Sequence, residues 1–409
     1  VNGTVKLVAP LVAVLAVAAC NGGSSSIPGA TGSAPVGQAI SMRHIPDWLA
    51  KHQARPVCPM VIAQPTCLAL DVYGVNNSSP SGWTPTDLQA VYRTPSTQGS
   101  GQIVAIVDAY DNPNVASDLA TYRKQFNLGA ANFTKYNQNG QTSGFPSGSP
   151  GWGVEIDLDV DMVSAICPKC TIYLIEANSS SSADLDTAEN TAVKKLGAHI
   201  VSNSWICYGS NSCVDVNSFN KSGVVYLAGS GDGGYDQNGN PESLATVVSV
   251  GGTQLPKSGS TYSETVWSGS GGGCSSNGGS MGVTKPPWQH DPSCTWRTDS
   301  DVAAEAGCAP GVAEYDTYGS SGWIQECGTS AATPMNAAIF ALAGNASKQI
   351  AASAFWKATQ RHRRRTLHAI TVGNDGSCGG SYLCTAGTHQ FKSYSGPTGW
   401  GTPKGVGLY

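Results

Sequence analysis

A serine hydroxyl becomes a nucleophile only when a neighbouring group takes its proton, and Ser330 sits where a chain would present one. The stretch ECGTSAATPMNAA, Glu326 to Ala338, is a small flexible turn, then the serine, then an apolar run that reads as the start of a helix. Two kinds of base could activate it. One is histidine, and there are seven. His44 and His52 precede the regular part of the chain, His199 opens a strand, and His290, His362, His368 and His389 fall in loops or basic surface stretches. A Gly-x-Ser-x-Gly run around Ser280 has no apolar strand before it, so it reads weakly as a nucleophile elbow. The other base is a carboxylate. The segment GWGVEIDLDVDMVSAICP carries Glu155, Asp157, Asp159 and Asp161 among apolar residues. As a helix it puts Glu155 and Asp159 four apart on one face, where their repulsion raises one pKa. As a strand it puts all four acids on one side, which the alternation fits better, and as a cluster it would suit calcium. Periodicity leaves these three open.

These residues need a scaffold, and the rest of the chain describes one. The chain has 409 residues, only 12% of them charged, with 50 glycines. That is a loop-rich folded protein rather than a disordered one. A net charge of -4 argues against nucleic acid as a partner, and the basic run Arg361 to Arg365 reads as a solvated helix end. Lys6 followed by the apolar stretch Leu7 to Ala19 reads as a signal peptide, too short to span a bilayer. Val17-Ala18-Ala19-Cys20 resembles a bacterial lipobox, followed by a Gly/Ser-rich tether. The expected organisation is therefore a signal peptide over 1–19, the lipobox cysteine and tether over 20–38, a short pro- or linker segment over 39–81, and one catalytic domain over 82–409. The only expected membrane contact is a lipid anchor at Cys20, and a monomer outside the cytoplasm is expected.

Cysteine usage agrees with export. Of 13 cysteines, setting Cys20 aside leaves an even number, and disulfides are expected. Four close pairs stand out: Cys58 with Cys67, Cys167 with Cys170, Cys207 with Cys213, and Cys378 with Cys384. Cys274, Cys294, Cys308 and Cys327 have no obvious pairing. In the domain, IVAIV (Ile103 to Val107) is a continuous apolar run, as in a strand buried on both faces. A helix follows, with Val115, Leu119, Tyr122 and Phe126 at helical spacing. TIYLIEA, HIVSNSW, GVVYLAG and ATVVSVGG read as further strands, with a helix from about Ser182 and a helix-like stretch between HIVSNSW and GVVYLAG. Alternating strands and helices predict an α/β fold, a parallel sheet with helices on both faces, and sites gather at the C-terminal ends of such strands.

Three motifs in this order make the chain resemble a sedolisin, a serine-carboxyl peptidase with a subtilisin-like fold. Glu155-Ile-Asp-Leu-Asp159 matches the family's Glu-x-x-x-Asp pair, which lies on a helix. Cys327-Gly-Thr-Ser330-Ala-Ala-Thr-Pro334 matches its SGTSxxxP motif except that Cys327 replaces the leading serine. Gly231-Asp232-Gly233-Gly234 matches its Gly-Asp-x-Gly after a strand. Asp108 and Trp205, in SNSW, match more weakly by position, and the resemblance runs from about residue 82 to the end. It implies an endopeptidase acting on peptides in acid. Glu155 would be the general base for Ser330, Asp159 would hold Glu155, a protonated Asp232 would donate to the oxyanion, and Asp108 and Trp205 would support them. Sedolisins also bind calcium near the C-terminus. Here the two carboxylate positions read Ala369 and Ser395, so no cofactor is expected with any firmness, and the missing ligands keep a second reading open: a catalytically inactive relative acting as a surface binding lipoprotein.

Overall fold

The structure is a computed structural model that describes residue 51 and residues 53–409, apart from 210–212, 259–260, 276–282, 349–350 and 388–390. The expected signal peptide, Cys20, the tether, His44, His52, Ser280 and His389 lie outside the described residues.

The chain runs β1 (Ala54–Pro56), β2 (Pro65–Cys67), β3 (Leu70–Asn77), α1 (Pro85–Tyr92), β4 (Ile103–Ala109), α2 (Val115–Gln125), β5 (Asn132–Asn137), α3 (Pro150–Ile166), β6 (Thr171–Ala177), α4 (Ser182–Asn190), β7 (Ile200–Asn203) and β8 (Trp205–Tyr208). It continues through β9 (Val225–Gly229), β10 (Val247–Gln254), β11 (Thr265–Val266), β12 (Val302–Glu305), β13 (Val312–Asp316), β14 (Gly322–Cys327) and α5 (Thr329–Ala343). The main sheet has the order β11-β10-β9-β7-β4-β6-β5, with β12 also pairing β10. Every pair in it is parallel except the β11 edge. The apolar run of β4 is explained by its place at the centre: Val104 and Ile106 belong to one core cluster, Ala105 and Val107 to another on the opposite face. Strands covered on both faces gain nothing from polar alternation.

Two smaller sheets stand beside the main one. β1, β3, β14 and β13 form an antiparallel sheet, and β8 pairs with β2 on one side and Gly239–Asn240 on the other. HIVSNSW is thus not one strand: β7 ends at Asn203, and after Ser204 the chain continues as β8 in a different sheet. The helix-like stretch expected before GVVYLAG contains, among the described residues, only a single 3-10 turn at Val216–Phe219.

The four expected cysteine pairs are disulfides, and Cys274–Cys294 and Cys308–Cys327 complete the described set. Cys327, three residues before Ser330, is therefore bridged. The basic run forms the helix Gln360–Thr366, but Arg363 is not solvated: it is buried, donates to the carbonyls of Phe355 and Trp356, and lies over the Trp400 ring. Among the described residues no helix is long and apolar enough to cross a membrane.

Candidate active site

Ser330 is the second residue of α5, and the turn that delivers it depends on a glycine. Gly328 has φ 104, and a Cβ there would fall 2.7 Å from Asp232 Oδ2 and 2.3 Å from the Leu68 carbonyl oxygen. The first amides of a helix lack intrahelical partners. Here a remote side chain supplies one: Asp232 Oδ1 accepts from the Thr329 N–H at 2.8 Å and from the Thr329 hydroxyl at 2.9 Å. Pro334 has no N–H to return to the carbonyl of Ser330 four residues back. That carbonyl instead lies 3.5 Å from the Ser204 hydroxyl.

The opposing wall is α3, and it is a helix, which settles the open question of the acidic alternation. Every residue from Trp152 to Ile166 is buried, so the element is apolar all round apart from its acids. Steps of two residues turn a helix by about 200°, so the alternating acids divide between opposite faces. Asp157 accepts from Asn112 Nδ2 at 2.7 Å and Asp161 from the Tyr315 N–H at 3.2 Å, on the side of α2 and β13. Glu155 and Asp159 lie on the side of Ser204 and Ser330. Glu155 Oε2 accepts the N–H groups of Leu68 at 2.8 Å and Ala69 at 2.7 Å. Asp159 Oδ1 accepts the Ser204 hydroxyl at 2.7 Å.

Electrostatics distribute the charge. Burial, and then the neighbouring Asp108, push the Glu155 carboxyl well above its ordinary range, while the Ser330 hydroxyl and the Ala69 and Leu68 amides pull it back. Asp159 is raised by burial, Asp108 and Glu155, and is countered only by Ser204. Asp108, the last residue but one of β4, is fully buried, neither oxygen has a hydrogen-bond partner, and burial pushes it up to about 8. Three acids this close cannot all ionise. A single charge is best placed on Glu155, which faces three donors, while Asp159 and Asp108 keep their protons. Burial likewise lifts Asp232 to about 7 despite its two bonds from Thr329, so in acid it holds a proton to donate.

Each expected site residue thus has a place. Glu155, Asp159, Asp108 and Ser330 form one buried cluster, and Asp232 reaches it through Thr329. Trp205 directly follows Ser204, whose hydroxyl binds Asp159. Its indole N–H donates to the Val107 carbonyl at 3.0 Å and its ring packs on Phe219, anchoring β8 to the end of β4. Among the described residues the groups facing the Ser330 hydroxyl are the Ser204 carbonyl, at 3.4 Å, and Glu155. His199 and His362 bond to the carbonyls of Gly223 and Gly407 instead. Sequence reasoning missed Ser204, although it stands beside the singled-out Trp205, and Thr329, although it lies inside the serine motif. It had no signal for Leu68 and Ala69.

The expected calcium positions do not fit a calcium ion. Ala369 lines a small hollow with Ile370, Gly387, Phe391, Ser393 and Thr398, which offers no carboxylate among the described residues. Ser395 spends its hydroxyl on the Thr385 carbonyl and Thr398. Elsewhere Asp118, Asp157 and Asp316 bring carboxylate oxygens within 4.8 Å of one another. Protein donors already meet this trio: Thr317 binds both oxygens of Asp118, Asn112 binds Asp157, and the Tyr318 and Gly319 amides bind Asp316.

The parallel sheet, the helix-borne acids and the serine at the head of a buried helix define a subtilisin-like α/β protein. The family model for peptidase S8, the subtilase family, matches residues 136–379, and the chain belongs to that family. Within it the chain is sedolisin-like. It is 29% identical to kumamolisin from Bacillus sp. (strain MN-32) over 305 residues, 65% of this chain and 52% of kumamolisin, so it spans about half the length of that relative. Among solved structures it is similar to Pseudomonas sedolisin, a serine-carboxyl proteinase solved with two molecules of pseudo-iodotyrostatin. The TM-score is 0.67 and the identity 25%, covering 80% of this chain and 96% of that one.

Proposed function

We propose that this chain is an exported serine-carboxyl endopeptidase that hydrolyses peptide bonds in acid through Ser330, Glu155 and Asp159. In the proposed cycle Glu155 takes the Ser330 proton as the serine oxygen attacks the peptide carbonyl carbon. Protonated Asp232 donates to the oxyanion that forms. Glu155 then passes its proton to the leaving amine, and the acyl group stays on Ser330. A water that loses its proton to Glu155 hydrolyses this ester, freeing the carboxyl product and restoring the serine. Asp159, held by Ser204, keeps Glu155 in place much as an aspartate orients the histidine of other serine peptidases. Asp108 adds a neutral, buried neighbour.

The observation that carries this reading is Glu155 itself: it meets the Ser330 hydroxyl and an amide N–H of the kind a leaving group would present. The disulfides suit an oxidising compartment, and we infer anchoring through Cys20. The test is casein hydrolysis measured from about pH 3 to 8 after incubation in acid, with Ser330→Ala beside the parent. Hydrolysis confined to acid and lost in Ser330→Ala is expected. Its absence at every pH would move the chain to the binding-lipoprotein reading.

A further inference from the structure

The small antiparallel sheet carries a row of charges with one cation too few. Arg55 on β1 stands opposite Asp71 on β3, and Asp71 stands opposite Glu326 on β14. Directly opposed residues of an antiparallel pair point to the same face, and like charges placed so repel. The one guanidinium is spent on the nearer acid: Arg55 Nε and Nη2 both donate to Asp71 Oδ2, at 3.0 and 2.7 Å. Glu326 is fully buried, and neither of its oxygens has a hydrogen-bond partner. A buried carboxyl in that state costs the desolvation of both its oxygens with nothing to offset it.

This row lines a cavity of about 580 Å³, whose wall is completed by Val154 of α3, Ser320 and Ile324. Side-chain exposure falls along the row from 63% at Arg55 to 22% at Asp71, and Glu326 is the floor. The acid with no partner is thus the deepest group of the cavity. A metal ion would need oxygens on several sides, which one sheet face does not provide. An alkylammonium or alkylguanidinium reaches a single deep carboxylate with its head and fills the space above with its stem. Burial first, then Asp71, Glu155 and Asp316, push the Glu326 carboxyl well above its ordinary range, and Arg55 draws it back least. Glu314 faces it as well. Glu326 therefore holds a proton on its own, and a cation bound to it takes the proton's place.

We propose that the cavity over β1, β3 and β14 binds an organic cation, an alkyl chain ending in guanidinium or ammonium, with Glu326 as its counter-ion and Asp71 at its entrance. This goes beyond the function proposed above and does not depend on it. Arg55 shows the pairing one strand away, a guanidinium seated on the adjacent carboxylate of the same row. The chemistry is offered both by a free small cation and by an arginine or lysine side chain of a peptide. Val154 lines the cavity and Glu155 follows it in α3, while β14 runs from Glu326 into the turn before Ser330. The bound cation therefore lies against the two elements that carry the proposed base and nucleophile.

The experiment is titration calorimetry of the full chain carrying Ser330→Ala, so that no probe is cut, between about pH 5 and 8. The probes are agmatine, an end-capped glycine pentapeptide with a central arginine, and butylurea as the uncharged match. Agmatine should bind with release of about one proton, and more tightly as pH rises, because proton and cation compete for Glu326. Butylurea should not bind. Glu326→Gln should weaken agmatine by about tenfold or more. Arg55→Ala, a change at the exposed rim that frees Asp71, should strengthen it. Circular dichroism establishes that both variants fold, and where Glu326→Gln does not, Arg55→Ala decides alone. Binding of the pentapeptide as tight as that of agmatine assigns the site to a basic side chain, and binding of agmatine alone assigns it to a free cation. Binding of neither, equal binding in Glu326→Gln, unchanged or weaker binding in Arg55→Ala, or displacement of agmatine by calcium chloride would overturn the inference. The proposed function stands or falls separately, on hydrolysis.

Discussion

At the scale of single residues, function turns on which buried acid is charged. Asp232 and Glu155 need opposite states at one pH, and the neighbours of each provide them: three donors around Glu155, burial above all for Asp232. Because burial holds Asp232 up at about 7, its proton is present in acid and lost as pH rises through that value. Asp232→Asn keeps a donor at all pH, so the alkaline limb of the kcat profile should move upward or vanish. Asp232→Ala removes the donor and should lower kcat by about 10²–10³-fold. A profile unchanged by Asp232→Asn would remove the residue from the oxyanion role. Asp108 offers a second check. Burial keeps it neutral until about 8, so Asp108→Asn should leave the acid limb in place, while a limb moved toward lower pH would mean that Asp108 is charged in acid.

At the scale of elements, the same helix carries the site and a second acidic face. The spacing of Glu155 to Asp161 is compatible with a strand, where residues two apart share one face, and with a helix, where they fall on opposite faces, and the alternation alone does not choose between them. The resemblance to sedolisins pointed to the helix, and packing on both sides keeps it there. β4 was legible for the opposite reason: a continuous run of Val, Ile and Ala fits only a strand covered twice. The serine motif was legible as a turn and a helix, yet what holds it, Asp232 on the Thr329 amide, joins segments 97 residues apart and leaves no local trace. The break at Ser204 was hidden in an unbroken strand-like string. Gly328 was visible only as part of a motif, but its φ and its close approaches give a sharp expectation. Gly328→Ala should cost about 1–3 kcal/mol through strain at positive φ alone. Denaturant unfolding of Ser330→Ala with and without the second change reads this directly, and equal midpoints would contradict the crowding.

At the scale of the molecule, the interior is unusually acidic. Besides the site, Asp157, Asp161, Glu314 and Glu326 are buried, and each is raised well above the ordinary carboxylate range, first by burial. Asp299 is pushed up to about 7 and Glu176 to about 9, burial outweighing Arg297 for the first and Lys135 for the second. The consequence for stability has a definite sign. A carboxyl whose folded pKa lies above its unfolded value, near 4, binds more protons folded than unfolded. Its contribution is complete below about pH 4 and is lost as pH rises through the folded values. The Tm should therefore be highest in acid and fall steadily between about pH 5 and 9, the reverse of ordinary acid denaturation. Calorimetry of Ser330→Ala, which cannot digest itself on this account, measures the curve cleanly. A Tm that peaks at neutral or alkaline pH would mean that these acids are ionised in the folded protein, and the acid-adapted interior would have to be given up.

The central claim is that an acidic side chain activates Ser330. Its most direct measurement is the pH dependence of peptide hydrolysis by the parent chain and by Glu155→Gln, which keeps the size and hydrogen-bonding shape of the side chain but cannot take the proton. The account predicts a maximum on the acid side of about pH 7, where Asp232 loses its proton, and loss of hydrolysis in Glu155→Gln at every pH. An alkaline maximum, or a Glu155→Gln variant as active as the parent, would contradict it.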